Sequence, residues 1–175
     1  KYVGKWVASM CTDCQYEDGQ GAPFSNYMYV VNMPEVAVDM ETGKVKVEKF
    51  TCMVDCGKII NKLVVDGQVY GALAQGIGLA LTEDFEDLEK HTTLVKCGIP
   101  QIQDIPDDLE IHYEETERPD GPYGASGVGE GPLAAPHPAI LNAIFNATGA
   151  RITQVPATPD VVKEALEQLE SGANA

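Results

Sequence analysis

From Gly121 to Gly131 the chain gathers five glycines, one serine and one alanine around a single carboxylate, Glu130. Glycine permits positive φ and lets main chain approach a ligand with no Cβ in the way, so in a run this dense backbone shape matters more than side chains. Successive N–H groups in such a loop can form a concave anion site, above all just ahead of a helix N-terminus. A helix does follow. Ile140, Leu141, Ile144, Phe145 and Thr148 share one face, while Asn142 and Asn146 point elsewhere. Pro136 or Pro138 suits its first turn, and Gly149 suits the stop just past its end. The loop matches neither G-x-x-x-x-G-K-[ST] nor G-x-G-x-x-G. Two readings of Glu130 stand side by side: a carboxylate that only favours a helix N-terminus, or a functional acid presented by bare main chain.

A second stretch, Asn61–Leu81, is predicted to be a helix with glycine or alanine at 67, 71, 72, 74, 76, 78 and 80. Each interior glycine costs about 0.8–1 kcal/mol relative to alanine, so several should break the helix unless something packs very close. Close backbone packing inside the fold is one explanation; contact with a flat cofactor beside Gln68 is the other. Packing needs no ligand and is the simpler. Gln75 takes no assignment. Leu63–Leu81 is apolar enough to suggest a membrane span, but Asp66, Gln68, Gln75 and four glycines inside it argue against one.

Twelve basic residues against twenty-seven acidic give a net charge of −15, which argues against nucleic acid or an anionic membrane as partner. The acidity reads as a solvated surface. One sizeable core fits 175 residues. The chain starts at Lys1 without a signal-like apolar stretch, and is expected to be a piece of a longer polypeptide or a processed product. Five cysteines (Cys11, Cys14, Cys52, Cys56 and Cys97) without secretory context predict reduced thiols and a cytoplasmic location. Cys11 and Cys14 form a C-x-x-C, but no second pair stands at zinc spacing and no helical pattern follows them, so the thiols read as structural or incidental.

Taken in order, residues 1–26 form a leading segment of loop composition. Tyr27–Asp39 reads as a strand bent at Pro34, Glu41–Lys44 as a turn, and Val45–Asp55 as the second strand of an antiparallel hairpin with one buried face. Glu83–Lys96 is strand edge or exposed helix, with His91 facing solvent. Ile99–Pro106 is loop or a short turn, and Leu109–Glu115 alternates as a half-exposed strand with His112 on its polar side. Arg151–Val155 reads as extended. Thr158 caps a last helix with Pro159 at its first position and Val161, Val162, Ala165 and Leu166 inward. His137, beside two prolines, reads as a first-turn residue, because no metal partners stand at ligand spacing. Residues 172–175 are expected to fray. The interspersed strands and helices lack a regular βαβ rhythm and predict an α+β fold of mixed or antiparallel strands with packed helices.

Gly127-Val128-Gly129-Glu130, with Gly124-Ala125-Ser126 before it and Pro132-Leu133 after it, resembles the C-terminal motif of the molybdenum hydroxylases, the xanthine dehydrogenase and aldehyde oxidoreductase family. Asp66-Gly-Gln-Val-Tyr-Gly-Ala-Leu-Ala-Gln-Gly-Ile-Gly78 resembles that family's second pterin-side segment. The chain from about Tyr27 to Leu166 is therefore similar to the end of a molybdenum-binding domain, with residues 27–171 as the C-terminal part of that domain. It looks closest to bacterial aldehyde oxidoreductases through Gly78–Asp87 and Arg118–Pro122; Gly131, where many xanthine-type members carry proline, leans the same way.

The resemblance implies a molybdenum–pterin cofactor, in its dinucleotide form, with no protein side chain as metal ligand. It implies Glu130 as general base in the oxidation of aldehydes to carboxylic acids with water as oxygen source. Gln68 would contact the pterin through its amide, and Ser126, Gly127, Val128 and Gly129 would supply main chain near it. Iron–sulfur clusters, most of the substrate pocket and the N-terminal molybdenum-domain regions would belong to the rest of a homo-oligomeric enzyme, so this chain alone would be half an active site. A xanthine-type hydroxylase of N-heterocycles, a non-catalytic subunit of a split hydroxylase, and a stand-alone module whose loop captures an anion or nucleotide are the alternatives.

Overall fold

The computed structural model describes residues 2–5, 11–15 and 17–172. Of the expected frayed end only Gly172 is described; 173–175 lie outside the described residues.

Strands β1 (Tyr29–Val38) and β2 (Val45–Asp55) form the expected antiparallel hairpin. Its turn is set by Asp39, whose carboxylate accepts the N–H groups of Glu41 at 2.9 Å and Thr42 at 3.0 Å. Bonds from Thr42 and Glu41 hold that carboxyl below the usual range. The register shifts once: Glu35 pairs with Lys49 and Val36 with Val47, leaving Glu48 as the extra residue. A bulge of this kind flips the side-chain parity of the strand that carries it. Inward positions accordingly change from Val45 and Val47 to Phe50, Cys52 and Val54. That is why Val45, Val47 and Phe50 break a strict period of two.

Helix α1 (Lys62–Leu81) runs unbroken through all its glycines, with Asn61 Oδ1 accepting Val64 N–H at 3.3 Å as its N-cap. Strand β3 (Asp108–Glu114) then returns beside β2 in parallel, giving a mixed sheet of order β1-β2-β3. A parallel neighbour requires a crossover, and α1 supplies it. This single βαβ unit is not visible as a rhythm in the sequence. Two polar ties hold it: Lys49 pairs with Glu110 at 2.9 Å, and the Tyr113 hydroxyl donates to Asp66 at 2.6 Å.

Helices α2 (Pro136–Thr148) and α3 (Pro159–Glu170) complete the α+β fold. Phe50, Val54, Val69, Leu73, Ile140, Ile144 and Val162 are fully buried in one core. Each such side chain contributes about 1.5–3 kcal/mol through removal from water. Gly149 closes α2 in the left-handed conformation at φ 80°, as its position foretold.

Five local expectations need correction. Residues 83–96 form bends and turns, neither strand nor helix, because their acids cap local turns: Asp84 accepts Glu86 N–H, and Asp87 accepts Glu89 and Lys90 N–H. His91 turns into that coil, accepting Asp87 N–H at Nδ1, and its side chain is only 15% exposed. Phe145 stays 38% exposed at the edge of the α2 face, covered by the Arg151 guanidinium 3.6 Å from its ring centre. Arg151–Val155 makes no strand, and Thr158 holds the N-cap position of α3 without a side-chain cap bond.

Gly76 marks where α1 meets α2. A Cβ there would lie 2.5 Å from Pro136 Cβ, so the contact requires a bare residue. Gly76→Ala is expected to lose about 1–3 kcal/mol to overpacking, against about 1 kcal/mol of helix propensity gained. A thermal melt should show a Tm lowered by a few degrees. A raised Tm would mean that α2 moves aside freely.

Candidate functional site

The glycine loop is stapled to the end of β2 before it reaches Glu130. Asp55 closes β2, and its carboxylate accepts the N–H groups of Gly57 at 3.1 Å and Thr116 at 3.2 Å. It also pairs with Arg118 Nη2 at 3.0 Å, and the same nitrogen donates to the Asp55 carbonyl at 3.2 Å. Burial pushes the Asp55 carboxyl up, but the bonds from Thr116 and Gly57 and the charge of Arg118 outweigh it and hold the group below the usual range. Gly124 O accepts both Lys58 N–H at 2.9 Å and Arg118 N–H at 3.0 Å. Cys56 O accepts the Ser126 N–H and hydroxyl at 3.0 and 2.9 Å. Gly57, at φ 71°, has no room for a side chain between Gly124 O and Arg118 Cγ.

Beyond this staple the chain passes Gly127, Val128 and Gly129 to Glu130, which opens a short 3₁₀ turn, Gly131–Leu133. Five residues separate Glu130 from the start of α2, and Pro136 and Pro138 remove two N–H groups from that helix's first turn. A nest feeding directly into α2 is therefore absent from the geometry, and Glu130 does not cap that helix.

Instead Glu130 faces α1. With Gly129 and Leu133 it forms one wall of a depression of about 310 Å³, and Gly67, Gln68, Gly71, Ala72 and Gln75 form the other. Gln68, Gly129 and Glu130 are thus brought together, whereas Ser126, Gly127 and Val128 do not line this space. Val128 packs against the core, and both donors of Ser126 are spent on Cys56. Among the described residues the Glu130 carboxylate has no hydrogen bond or ion pair, and it is exposed.

The glycines of α1 divide by the same geometry. Gly76 and Gly78 meet Pro136 and Glu83 closely, which is the packing explanation. Gly67 and Gly71 meet nothing within 4 Å of an added Cβ, as do Gly127 and Gly129. Two bare positions in the middle of a helix, each costing about 0.8–1 kcal/mol relative to alanine, face open space beside Gln68 and Glu130. They form a cradle that side chains would fill.

Comparison with known proteins gives the family of the chain. Residues 1–106 match the molybdopterin cofactor-binding domain family. The chain belongs to that family. It is 57% identical over 167 residues to the aldehyde oxidoreductase of Megalodesulfovibrio gigas, covering 95% of this chain and 18% of that protein. Among solved structures, aldehyde oxidoreductase from Desulfovibrio gigas superposes with a TM-score of 0.90 at 57% identity, over 93% of this chain and 18% of the other. That from Desulfovibrio desulfuricans gives 0.89 at 61% identity, again over 93% and 18%. This molybdopterin cofactor-binding chain therefore spans about a fifth of its relatives' length.

Within the molybdopterin-binding chain, the remaining candidates fall outside the depression. All five cysteines are free; Cys52 lies in the core, where burial pushes its thiol up to about 11. Among the described residues no group of three or more His, Cys, Asp or Glu side chains could hold a metal ion, and no helix is long and apolar enough to cross a membrane. His137 sits in the first turn of α2 with Nδ1 buried and unpartnered. A larger cleft of about 910 Å³ lies near the C-terminal end of α1, between Val47, Leu81, Ile105 and Ala157, and touches none of the expected site residues. Gln75, left without assignment by the sequence, joins the α1 wall of the depression two helical turns after Gln68. Sequence reasoning gave Arg118 no role of its own, because its partner Asp55 is remote in sequence; Tyr123 stands at φ 56° with its ring exposed and outside the depression.

Proposed function

We propose that this chain is the part of a molybdenum-dependent aldehyde oxidoreductase that presents the general base, Glu130, and one wall of the pterin site. The meeting of Glu130 and Gln68 across a depression backed by the bare positions Gly67 and Gly71 carries this reading. The bound molybdenum–pterin group, in its dinucleotide form, would supply the redox chemistry that converts an aldehyde to a carboxylic acid with water as oxygen source. The Gln68 carboxamide would donate to or accept from the pterin edge. The main chain of Gly129 would meet the group without a side chain in the way, while Ser126, Gly127 and Val128 would hold that stretch of backbone in place behind it.

Glu130 acts as acceptor for the proton of the attacking oxygen. A base must reach its proton within hydrogen-bond distance, and an unpaired carboxylate at the rim of a cradle is free to do so. The opposite wall, the substrate pocket and the iron–sulfur clusters belong to the other parts of a cytoplasmic homo-oligomer, which would shield Glu130 from bulk water.

The test is metal and pterin analysis of the complete enzyme together with aldehyde oxidation. Wild type is expected to hold molybdenum and pterin and to produce carboxylate. Gly71→Leu, which fills the cradle without touching the core, is expected to reduce pterin content severalfold. Normal cofactor content in that variant would remove α1 from the site.

A further inference from the structure

We propose that the free edge of β1 over Tyr29–Met33 receives a β-strand from the portion of the hydroxylase polypeptide outside these 175 residues. This rests on the proposed function only in requiring that such a polypeptide exists.

Strand β1 has one ladder, to β2, and among the described residues its other edge makes no backbone hydrogen bond. An edge of this kind is a template for another strand, and proteins normally blunt it with charge, proline or a bulge. From Tyr29 to Met33 there is none of these. Pro34, Glu35 and the register shift that follows come immediately after, so the protection begins where the unprotected run ends.

The side chains agree. Tyr29, Val31 and Met33 point away from the core and are 64%, 52% and 52% exposed, and Met53, across from Val31, is 40% exposed. A solvated sheet face carries polar residues at those positions. The other side of the same face does so, with Glu110, His112 and Glu114 exposed on β3. One half of this face is built for water and the other half is not.

The occupant follows from length and charge. The relatives extend this fold into chains of which it is only 18%, so polypeptide is available to supply the strand. A second copy of the chain would bring another net charge of −15 to the contact and is disfavoured. The incoming strand would carry apolar residues beside Val31 and Met33, and five residues of pairing is an ordinary strand length.

Hydrogen exchange on the complete enzyme tests this. The amides of Tyr29–Met33 that do not bond to β2 are expected to exchange on the order of 100-fold or more slower than an unprotected amide. Exchange at loop rates overturns the proposal, and so does protection that appears only as concentration drives self-association. Val31→Lys is expected to lower the yield of assembled enzyme severalfold, while His112→Lys, on the polar half of the face, leaves it unchanged; equal yields also overturn it. Molybdenum and pterin content of the wild-type sample reads the proposed function separately. Protected amides in a sample without the cofactor would uphold the strand and sink that reading.

Discussion

Replacing Glu130 by Gln in the complete enzyme is expected to cut turnover about 10²–10⁴-fold while molybdenum and pterin contents stay at the wild-type level. The separation of these two readouts follows from the geometry. The Glu130 carboxylate makes no hydrogen bond or ion pair among the described residues, so its amide replacement takes nothing from the fold. Exposed substitutions of that kind change stability by about 0.5 kcal/mol or less. What the change removes is the ability to accept a proton. Glu130→Asp keeps the charge but draws it back by one methylene, and a misplacement of about 1 Å can cost about 100-fold. Both variants should therefore be folded, loaded and slow. Turnover of Glu130→Gln within a few-fold of wild type would take Glu130 out of the chemistry and leave the depression as a binding surface only.

The parts of this molecule legible in the sequence are those decided by neighbours in the chain. The turn at Glu41–Lys44, the stop at Gly149 and the first turn at Pro159 each rest on residues within a few positions, and each stands where expected. Parity within β2 was half legible. Val45, Val47 and Phe50 cannot share one face of a regular strand, yet only the pairing to β1 identifies Glu48 as the extra residue. The parallel return of β3 was hidden, because nothing in Leu109–Glu115 records that its neighbour is β2. Residues 83–96 defeated periodicity, since their acids are spent on capping local turns.

The site divides in the same manner. The motifs around Gln68 and Glu130 were visible singly, through glycine density and family resemblance. Their meeting across the depression, the membership of Gln75 and the separation of the α1 glycines into packing and open positions required coordinates. One sequence expectation failed for a reason the sequence contained. Pro136 and Pro138 were read as favourable to the first turn of α2, but they also strip it of the N–H groups an anion site needs.

Arg118 was legible only as part of a family-like stretch, with no role of its own, and its pair with Asp55 sets the second large effect. Asp55→Ala is expected to destabilise the chain by about 3 kcal/mol, the lower end for a broken buried ion pair, because the two side chains retain 15% and 10% exposure. The guanidinium would be left with its Nη2 bonded only to a carbonyl and its Nε already buried without a partner. At about 2–4 °C per kcal/mol, the melting transition that includes this chain should fall by about 6–12 °C. Arg118→Met in the same background should recover part of that loss, since it removes the stranded charge and keeps the packing against Gly57 and Gly121. Acid should act through the same group. Asp55 has its folded-state value below its unfolded-state value of about 3.9, so its contribution is complete above the unfolded value and drains away as pH falls through the folded one. Wild type should therefore lose more stability on acidification through that window than Asp55→Ala does. Equal acid sensitivity would show that the pair contributes nothing. The loop consequence is separate: Arg118 and Lys58 both hold Gly124 O, so loosening the pair frees the segment that carries Gly127–Glu130. Asp55→Ala should then lower turnover of the molecules still folded, whereas a pair that served stability alone would leave their turnover intact.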